Sequence, residues 1–180
     1  MTTPVDLRTA KSQLTQIMDS IDLGPTQSVQ FKFAKLQMAQ AQLCKDQAND
    51  YMNQIENIQQ EQKKTAEMIA LARMLQNDCK AKNGDCSWDK EASMMPQETA
   101  DFLKARGLHY DTTGGDLVNN KDEWDYNIQS LTNYQESISN KTQTLMVYLQ
   151  DFIGQYNSYT QGASNQVSQG IQTVTAVATA

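Results

Sequence analysis

The residues that could do chemistry are few in this sequence, and its cysteines and single histidine are the clearest candidates. Cys79 and Cys86 flank the turn-like stretch KAKNGD, so these two thiols could close a short disulfide or stay free in a loop. Cys44 lies in a helical pattern, where we expect a small buried apolar residue. His109 is the only histidine, and Cys44 with His109 would be a lone pair without the supporting residues of a catalytic site.

Two further motifs resemble known ligand sites but lack residues that those sites require. The stretch DTTGGDLVNNKDE, residues 111–123, lacks the regularly spaced oxygen ligands of a calcium loop, so we expect a turn there. Gly114 and Gly115 have neither the spacing nor the Lys-Ser/Thr of a phosphate loop. We therefore expect no enzyme activity, no metal site and no cofactor.

Composition narrows the classes of partner. The chain has 180 residues, a net charge of -6 and a mean hydropathy of -0.64. We expect no nucleic-acid partner, because binding the phosphate backbone requires a basic face and this chain has a negative net charge. No apolar run reaches the roughly 20 residues of a membrane span, and the polar N-terminus does not have the pattern of a Sec-type signal peptide.

Two long helical patterns dominate the chain. After Gly24-Pro25 and a candidate N-cap at Thr26, apolar and amide residues recur at steps of three and four, with a stutter between residues 43 and 55. From Trp124 to Ala163 the steps of four and three alternate without a break. The two patterns predict an all-α fold, a long antiparallel coiled-coil hairpin. Its predicted core is Phe33, Leu36, Leu43, Ile55, Ile58, Ile69, Ile128, Leu131, Ile138, Leu145, Leu149 and Phe152.

The domain boundaries follow from these patterns. Residues 1–25 would be a polar, secretion-signal-like segment with a short helix, and residues 26–78 the first long helix. Residues 79–122 contain four of the eight glycines and a short helix in MPQETADFLKARG, which predicts a small surface insertion of loops and one short helix. Residues 123–180 would be the second long helix and its tail.

The second long helix is almost free of charge. Between Trp124 and Ala180 the only charged residues are Asp125, Glu136, Lys141 and Asp151. A buried charge must be paired or desolvated at a cost of several kcal/mol, whereas amides and hydroxyls can bond between subunits without that cost. The pattern therefore favours an assembly surface, and a Gln-rich coiled coil within one chain is the alternative. The candidate assembly residues are Gln143, Gln150, Gln155, Tyr156, Asn157 and Tyr159.

This layout resembles the EspA/SseB family of type III secretion filament and tip proteins. The resemblance lies in the long helix with FAKLQMAQAQLCKDQANDYMNQIENI, the proline-led helix PQETADFLKARGL and the final helix NIQSLTNYQESISNKTQTLMVYLQDFIGQYNSYTQGAS. It implies a secreted subunit on the bacterial cell surface that assembles with copies of itself into a filament or tip conduit. It also implies a dedicated chaperone before export, and contacts with the secretion needle, pore-forming translocators and the host cell surface.

Three other functions remain open at this point. The first is a tip cap or hydrophilic translocator that forms no long filament. The second is a cytoplasmic coiled-coil adaptor or chaperone, which would stay in the cell. An enzyme is the third, and no constellation of residues supports it.

Overall fold

The fold is all-α, as the heptad patterns predict, with two long helices and a small insertion between them. The computed structural model describes residues 7–22, 28–86 and 88–179, with no account of the side chains of residues 7–11. In chain order the elements are α1 Leu7–Ser20, α2 Val29–Lys80, β1 Ala92–Met94, α3 Gln97–Ala105, a 3-10 turn Thr113–Gly115, β2 Val118–Asn120 and α4 Lys121–Ala178.

The long helices begin and end within a few residues of the predicted boundaries. The expected stop at Gly24-Pro25 and cap at Thr26 lie outside the described residues, and Ser28 caps α2, since its Oγ accepts a hydrogen bond from the amide of Phe31 at 3.3 Å. After α2, Lys82 adopts a left-handed backbone with φ 57°. The amide of Asn83 then reaches the carbonyl of Asp78 at 2.8 Å, as in a Schellman motif.

The chain forms two compact units. One comprises Met1–Gln54 with Leu145–Ala180, and we call it the first unit; the other is Ile55–Thr144, the second unit. In each, a segment of α2 packs antiparallel to a segment of α4. In the second unit Gln76 bonds to the start of α4, while Gln62 bonds to Ser139, farther along α4.

The second unit contains the largest cluster of buried apolar side chains. Trp124 and Leu131 of α4 are fully buried there, together with Leu103 of α3. The indole Nε1 of Trp124 donates a hydrogen bond to Ser93 Oγ in β1 at 2.9 Å, which fixes the strand to the helix. The remaining members of the cluster are Met68, Ile69, Ala72, Cys79, Met95, Ala100 and Phe102.

This cluster corrects the expectation that residues 79–122 are only a surface insertion. Strands β1 and β2 pair antiparallel, and α3 lies between them in the chain with Phe102 and Leu103 buried. Gly84 sits so close to the carbonyl oxygen of Ala92 that a Cβ at this position would lie 2.0 Å from it, so the turn requires glycine. The insertion is a packed part of the second unit, because its apolar residues complete the core.

Helix α3 begins and ends as its sequence predicts. Pro96 precedes its first turn and Glu98 lies within that turn. At the other end Gly107 has φ 64°, and the amides of Gly107 and Leu108 bond to the carbonyls of Lys104 and Leu103. This Schellman motif turns the chain back so that Leu108 packs on the core.

The first unit has a core of small residues on α2, and here one predicted core residue is wrong. Phe33 is 48% exposed, whereas its neighbour Ala34 is fully buried. Glycines on α4 leave room for side chains of α2. A Cβ on Gly162 would lie 2.5 Å from Gln37 Nε2, and one on Gly170 would lie 3.0 Å from Phe31 Cε2. The other buried small residues of this segment are Ala39, Ala41, Cys44 and Ala48.

The buried positions of α2 therefore follow a more regular pattern than the sequence suggested. Steps of seven, three, four and seven residues separate Ala34, Ala41, Cys44, Ala48 and Ile55, which is the spacing of a heptad repeat. The stutter predicted between residues 43 and 55 results from following the large side chains Phe33, Leu36 and Leu43 instead of the alanines. Along this line of buried α2 residues, the heptad spacing continues through the α2 segments of both units without interruption.

The remaining predicted core residues are at least half buried. Half-buried are Leu36, Leu43, Ile58, Ile128 and Phe152. Buried are Ile55, Ile69, Leu131, Ile138, Leu145 and Leu149.

Candidate interaction surface

Exposed apolar side chains are concentrated in the first unit. On α4, Val147 is 63% exposed and Val177 is 75% exposed. Soluble monomers rarely leave many large apolar residues uncovered on neighbouring turns, so this distribution points to an interaction surface. The exposed large apolar residues among the described part of the first unit are Val29, Phe33, Met38, Met52, Met146, Val147, Tyr148, Ile153, Ile171, Val174 and Val177.

The predicted assembly residues do not all lie on that surface. Gln143, Gln150 and Asn157 are exposed, and Gln143 belongs to the second unit. Tyr156 and Tyr159 are half buried.

The side chain of Gln155 is hydrogen-bonded within its own chain. Its Nε2 donates to Asp151 Oδ2 at 2.8 Å, and its Oε1 accepts a weak hydrogen bond from Cys44 Sγ at 3.8 Å. Gln155 therefore bonds within its own chain, and its place in an assembly surface stays a prediction.

A groove of about 710 Å³ lies between α1, α2 and α4 of the first unit, and we call it the α1 groove. Apolar residues of the three helices meet there. The sequence patterns did not predict this contact, because periodicity does not show where α1 packs. None of the described residues that line the groove is charged. Its lining is Ile17, Ser20, Ile21, Met38, Ala41, Gln42, Tyr156, Thr160, Ala163, Ser164, Val167 and Ser168.

A second, smaller hollow of about 160 Å³ lies on the α2–α4 surface beside Met52 and Ile153. Tyr156 borders both this hollow and the α1 groove. Next to it, Tyr51 stacks on Phe152 with ring centroids 5.6 Å apart and meets Tyr148 at 5.8 Å. These rings stiffen the pairing of α2 and α4 at this level of the first unit.

The second unit has a polar cluster of a different kind, which joins α3 to the long helices. Arg106 donates from Nε and from its terminal nitrogen to the carboxylate of Glu61, and Tyr134 OH donates to Glu61 Oε1 at 3.0 Å. The guanidinium also lies 3.6 Å from the ring centroid of Phe102. The hydrogen bond from Arg106 holds the pKa of Glu61 below its ordinary value, against the opposing effect of burial. The same pair raises the pKa of Arg106.

We expect this cluster to make stability depend on pH. Because the pKa of Glu61 is lower in the folded state than in the unfolded state, its ionised carboxylate stabilises the fold. This stabilisation is complete above the ordinary glutamate pKa of about 4.3, and it is lost as the pH falls through the pKa of Glu61 in the folded state. Glu61→Gln mimics the protonated form. Urea unfolding followed by circular dichroism should show wild type more stable than Glu61→Gln at pH 7, with the difference vanishing near pH 3. An equal difference at both pH values would contradict this role for the carboxylate.

The three cysteines are free thiols in the structure, so of the two states left open for Cys79 and Cys86 the structure has the reduced one. Cys79 Sγ lies 3.1 Å from Ser93 Oγ, within the β1 contact. Cys44 is buried, as expected. Burial is the main reason that the pKa values of Cys44 and Cys86 are raised, so both thiols are disfavoured as nucleophiles.

The loop around Gly114 and Gly115 satisfies its own polar groups. Asp111 accepts hydrogen bonds from the amide and hydroxyl of Thr113, and its own amide donates to Asn127 Oδ1 at 2.7 Å. Asn127 and Asn119 are both buried, and the first donates to the second at 2.8 Å. This buried amide pair, which the sequence patterns did not indicate, ties the loop and β2 to α4.

Within residues 7–22, 28–86 and 88–179, no three His, Cys, Asp or Glu side chains come together as a metal site would require. His109 is exposed. The helices of the same part of the chain include none with the length and hydropathy of a bilayer span.

Comparisons of the chain with protein families, with curated proteins and with solved structures found no match. The fold and the surfaces described above therefore carry the functional argument.

Proposed function

We propose that the protein is a secreted structural subunit of a type III secretion system that assembles with copies of itself into an extracellular filament or tip conduit. One observation carries the proposal: among the described residues, the first unit exposes eleven large apolar side chains, most of them on a helix that is nearly free of charge. Exposure of that surface to water is unfavourable, because burying apolar area contributes a free energy of roughly 25 cal/mol per Å².

Copies of the same chain suit this surface chemically. The exposed side of α4 between Phe152 and Ala178 offers amides and hydroxyls among apolar residues and has no charge to desolvate. A contact made by such a surface can repeat from copy to copy, and a repeating contact that does not close on itself builds a filament. A surface of this kind must stay covered before export, which is the task of a dedicated chaperone in this proposal.

Two observations favour a tip assembly or hydrophilic translocator as the second candidate. The second unit has its own core and a tightly packed insertion, so it is more like a small folded domain than the plain stalk of a fibre. A short assembly that presents this domain would use the same first-unit surface with a limited number of copies.

Export is the property that separates both candidates from a cytoplasmic adaptor. In bacteria with a working type III apparatus we expect the protein in the culture medium and on the cell surface, and in an otherwise identical strain with a disabled export gate we expect it only inside the cell. Retention of the protein in the cytoplasm of both strains would favour the adaptor and contradict the proposal.

A further inference from the structure

The last two turns of α4 form an apolar projection, which we call the tail and define as Ile171–Ala178. Gly170, just before the tail, faces the ring of Phe31 near the start of α2. Beyond it α4 continues for about 12 Å at 1.5 Å per residue. Ile171, Val174 and Val177 are 55%, 49% and 75% exposed.

These three side chains form a single stripe. Successive residues of a helix are about 100° apart, so steps of three keep Ile171, Val174 and Val177 within about a third of the circumference. Spacing of this kind is how one helix anchors itself in an apolar groove of another protein. Every residue from Phe152 to Ala180 is uncharged, so the tail brings no charge into such a groove.

The α1 groove matches the tail in chemistry and in length. The described residues of its lining are apolar, hydroxyl-bearing or amide residues with no charged one among them, and its volume is about 710 Å³. Along α4 the groove extends from Tyr156 to Ser168, which is about 18 Å at 1.5 Å per residue. The stripe from Ile171 to Val177 needs about 9 Å by the same rise.

The tail cannot enter the groove of its own chain. Both lie on α4, which is one helix from Lys121 to Ala178, and the tail begins where the groove ends. A straight helix cannot fold back on itself within three residues, so an occupant of the groove must come from elsewhere.

We propose that the tail of one copy docks in the α1 groove of the next copy, so that the copies associate head to tail. This inference rests on the proposed function and names one of the contacts that copies make with one another in the assembly. Each chain has one tail and one groove, so the contact is heterologous and leaves a free tail at one end and a free groove at the other.

The test is a pair of opposite charges placed on the two sides of the contact. Val174→Glu alters the tail, and Ser164→Lys alters the groove at an exposed position of its lining. Each purified variant alone should remain helical by circular dichroism and lose the assemblies that wild type forms, because an uncharged partner surface would have to bury the new charge. An equimolar mixture of the two variants should assemble, since the Glu tail meets the Lys groove and the two unaltered sides meet each other.

Matched controls place the same residues on the opposite faces of α4. Gln172→Glu lies about 160° from Val174 around the helix, and Ser158→Lys lies about 120° from Ser164. Both positions are exposed, and both variants should assemble as wild type does.

The outcomes distinguish this contact from the proposed function. If wild type forms no assemblies, the proposed function fails. If wild type assembles and Val174→Glu assembles equally well, self-assembly stands and the tail contact is wrong. A mixture that stays monomeric, or that stops at dimers by light scattering, overturns the head-to-tail arrangement.

Discussion

Replacing Leu103 by alanine should lower the free energy of unfolding by about 2–5 kcal/mol, the range for truncating a fully buried leucine. Leu103 has no exposed surface and packs with Trp124 and Leu131 in the core of the second unit. The loss combines the transfer free energy of the missing carbon atoms with the cavity that they leave. Urea unfolding at pH 7, followed by circular dichroism at 222 nm, measures it, and the midpoint should fall markedly.

The neighbouring residue supplies the control. Lys104 is exposed on the same short helix, so Lys104→Ala should change stability by no more than about 0.5 kcal/mol. If Leu103→Ala were as mild as Lys104→Ala, α3 would be a loosely attached surface element, as the sequence pattern of residues 79–122 suggested. The packing described for the second unit would then be incorrect.

Replacing Gln150 by glutamate should abolish assembly while leaving the monomer folded. Gln150 is exposed on α4 of the first unit, beside the buried Leu149, so within one chain a charge there meets water and costs at most about 0.5 kcal/mol. Between copies the same charge recurs at every contact and must be desolvated, at a cost that can reach several kcal/mol. Sedimentation of assemblies, with circular dichroism of the soluble fraction, measures both properties.

The matched control is Gln60→Glu, an identical change at an exposed amide of α2 in the second unit. This variant should assemble as wild type does. Gln155 is unsuitable for the test because its amide bonds to Asp151 and Cys44, so a charge there would disturb the pairing of α2 with α4. Assemblies of Gln150→Glu with wild-type length and critical concentration would mean that this amide faces water in the assembly.

The sequence predicted α4 well because its seam is built from large apolar residues. Leu131, Leu145 and Leu149 recur with alternating steps, and each is buried against α2 as expected. Large side chains on a strict heptad have one low-energy arrangement, with the seam against the partner helix, so periodicity alone identifies them.

The N-terminal half of α2 misled the same reasoning. Phe33 is large and apolar, but it is 48% exposed, whereas its neighbour Ala34 is fully buried. The size of the side chain therefore did not identify the buried position here. A search for recurring alanines, Ala34, Ala41 and Ala48, would have found the seam.

The insertion and the groove could not be predicted from pattern because they depend on contacts between distant residues. Arg106 meets Glu61 and Tyr134 from three different elements. Asn119 and Asn127 are polar residues that a sequence pattern places on the surface. They can be buried because Asn127 donates to Asn119, and each side chain also bonds to a nearby backbone group. The α1 groove likewise exists only where Ile17 and Ile21 come to lie beside α2 and α4.

Self-assembly of the purified wild-type chain is the central claim, and negative-stain electron microscopy of the concentrated protein tests it most directly. The account predicts elongated, regular assemblies that grow in number with protein concentration and that are missing from Gln150→Glu at the same concentration. A wild-type sample that remains monomeric at every concentration, by microscopy and by sedimentation, would contradict it.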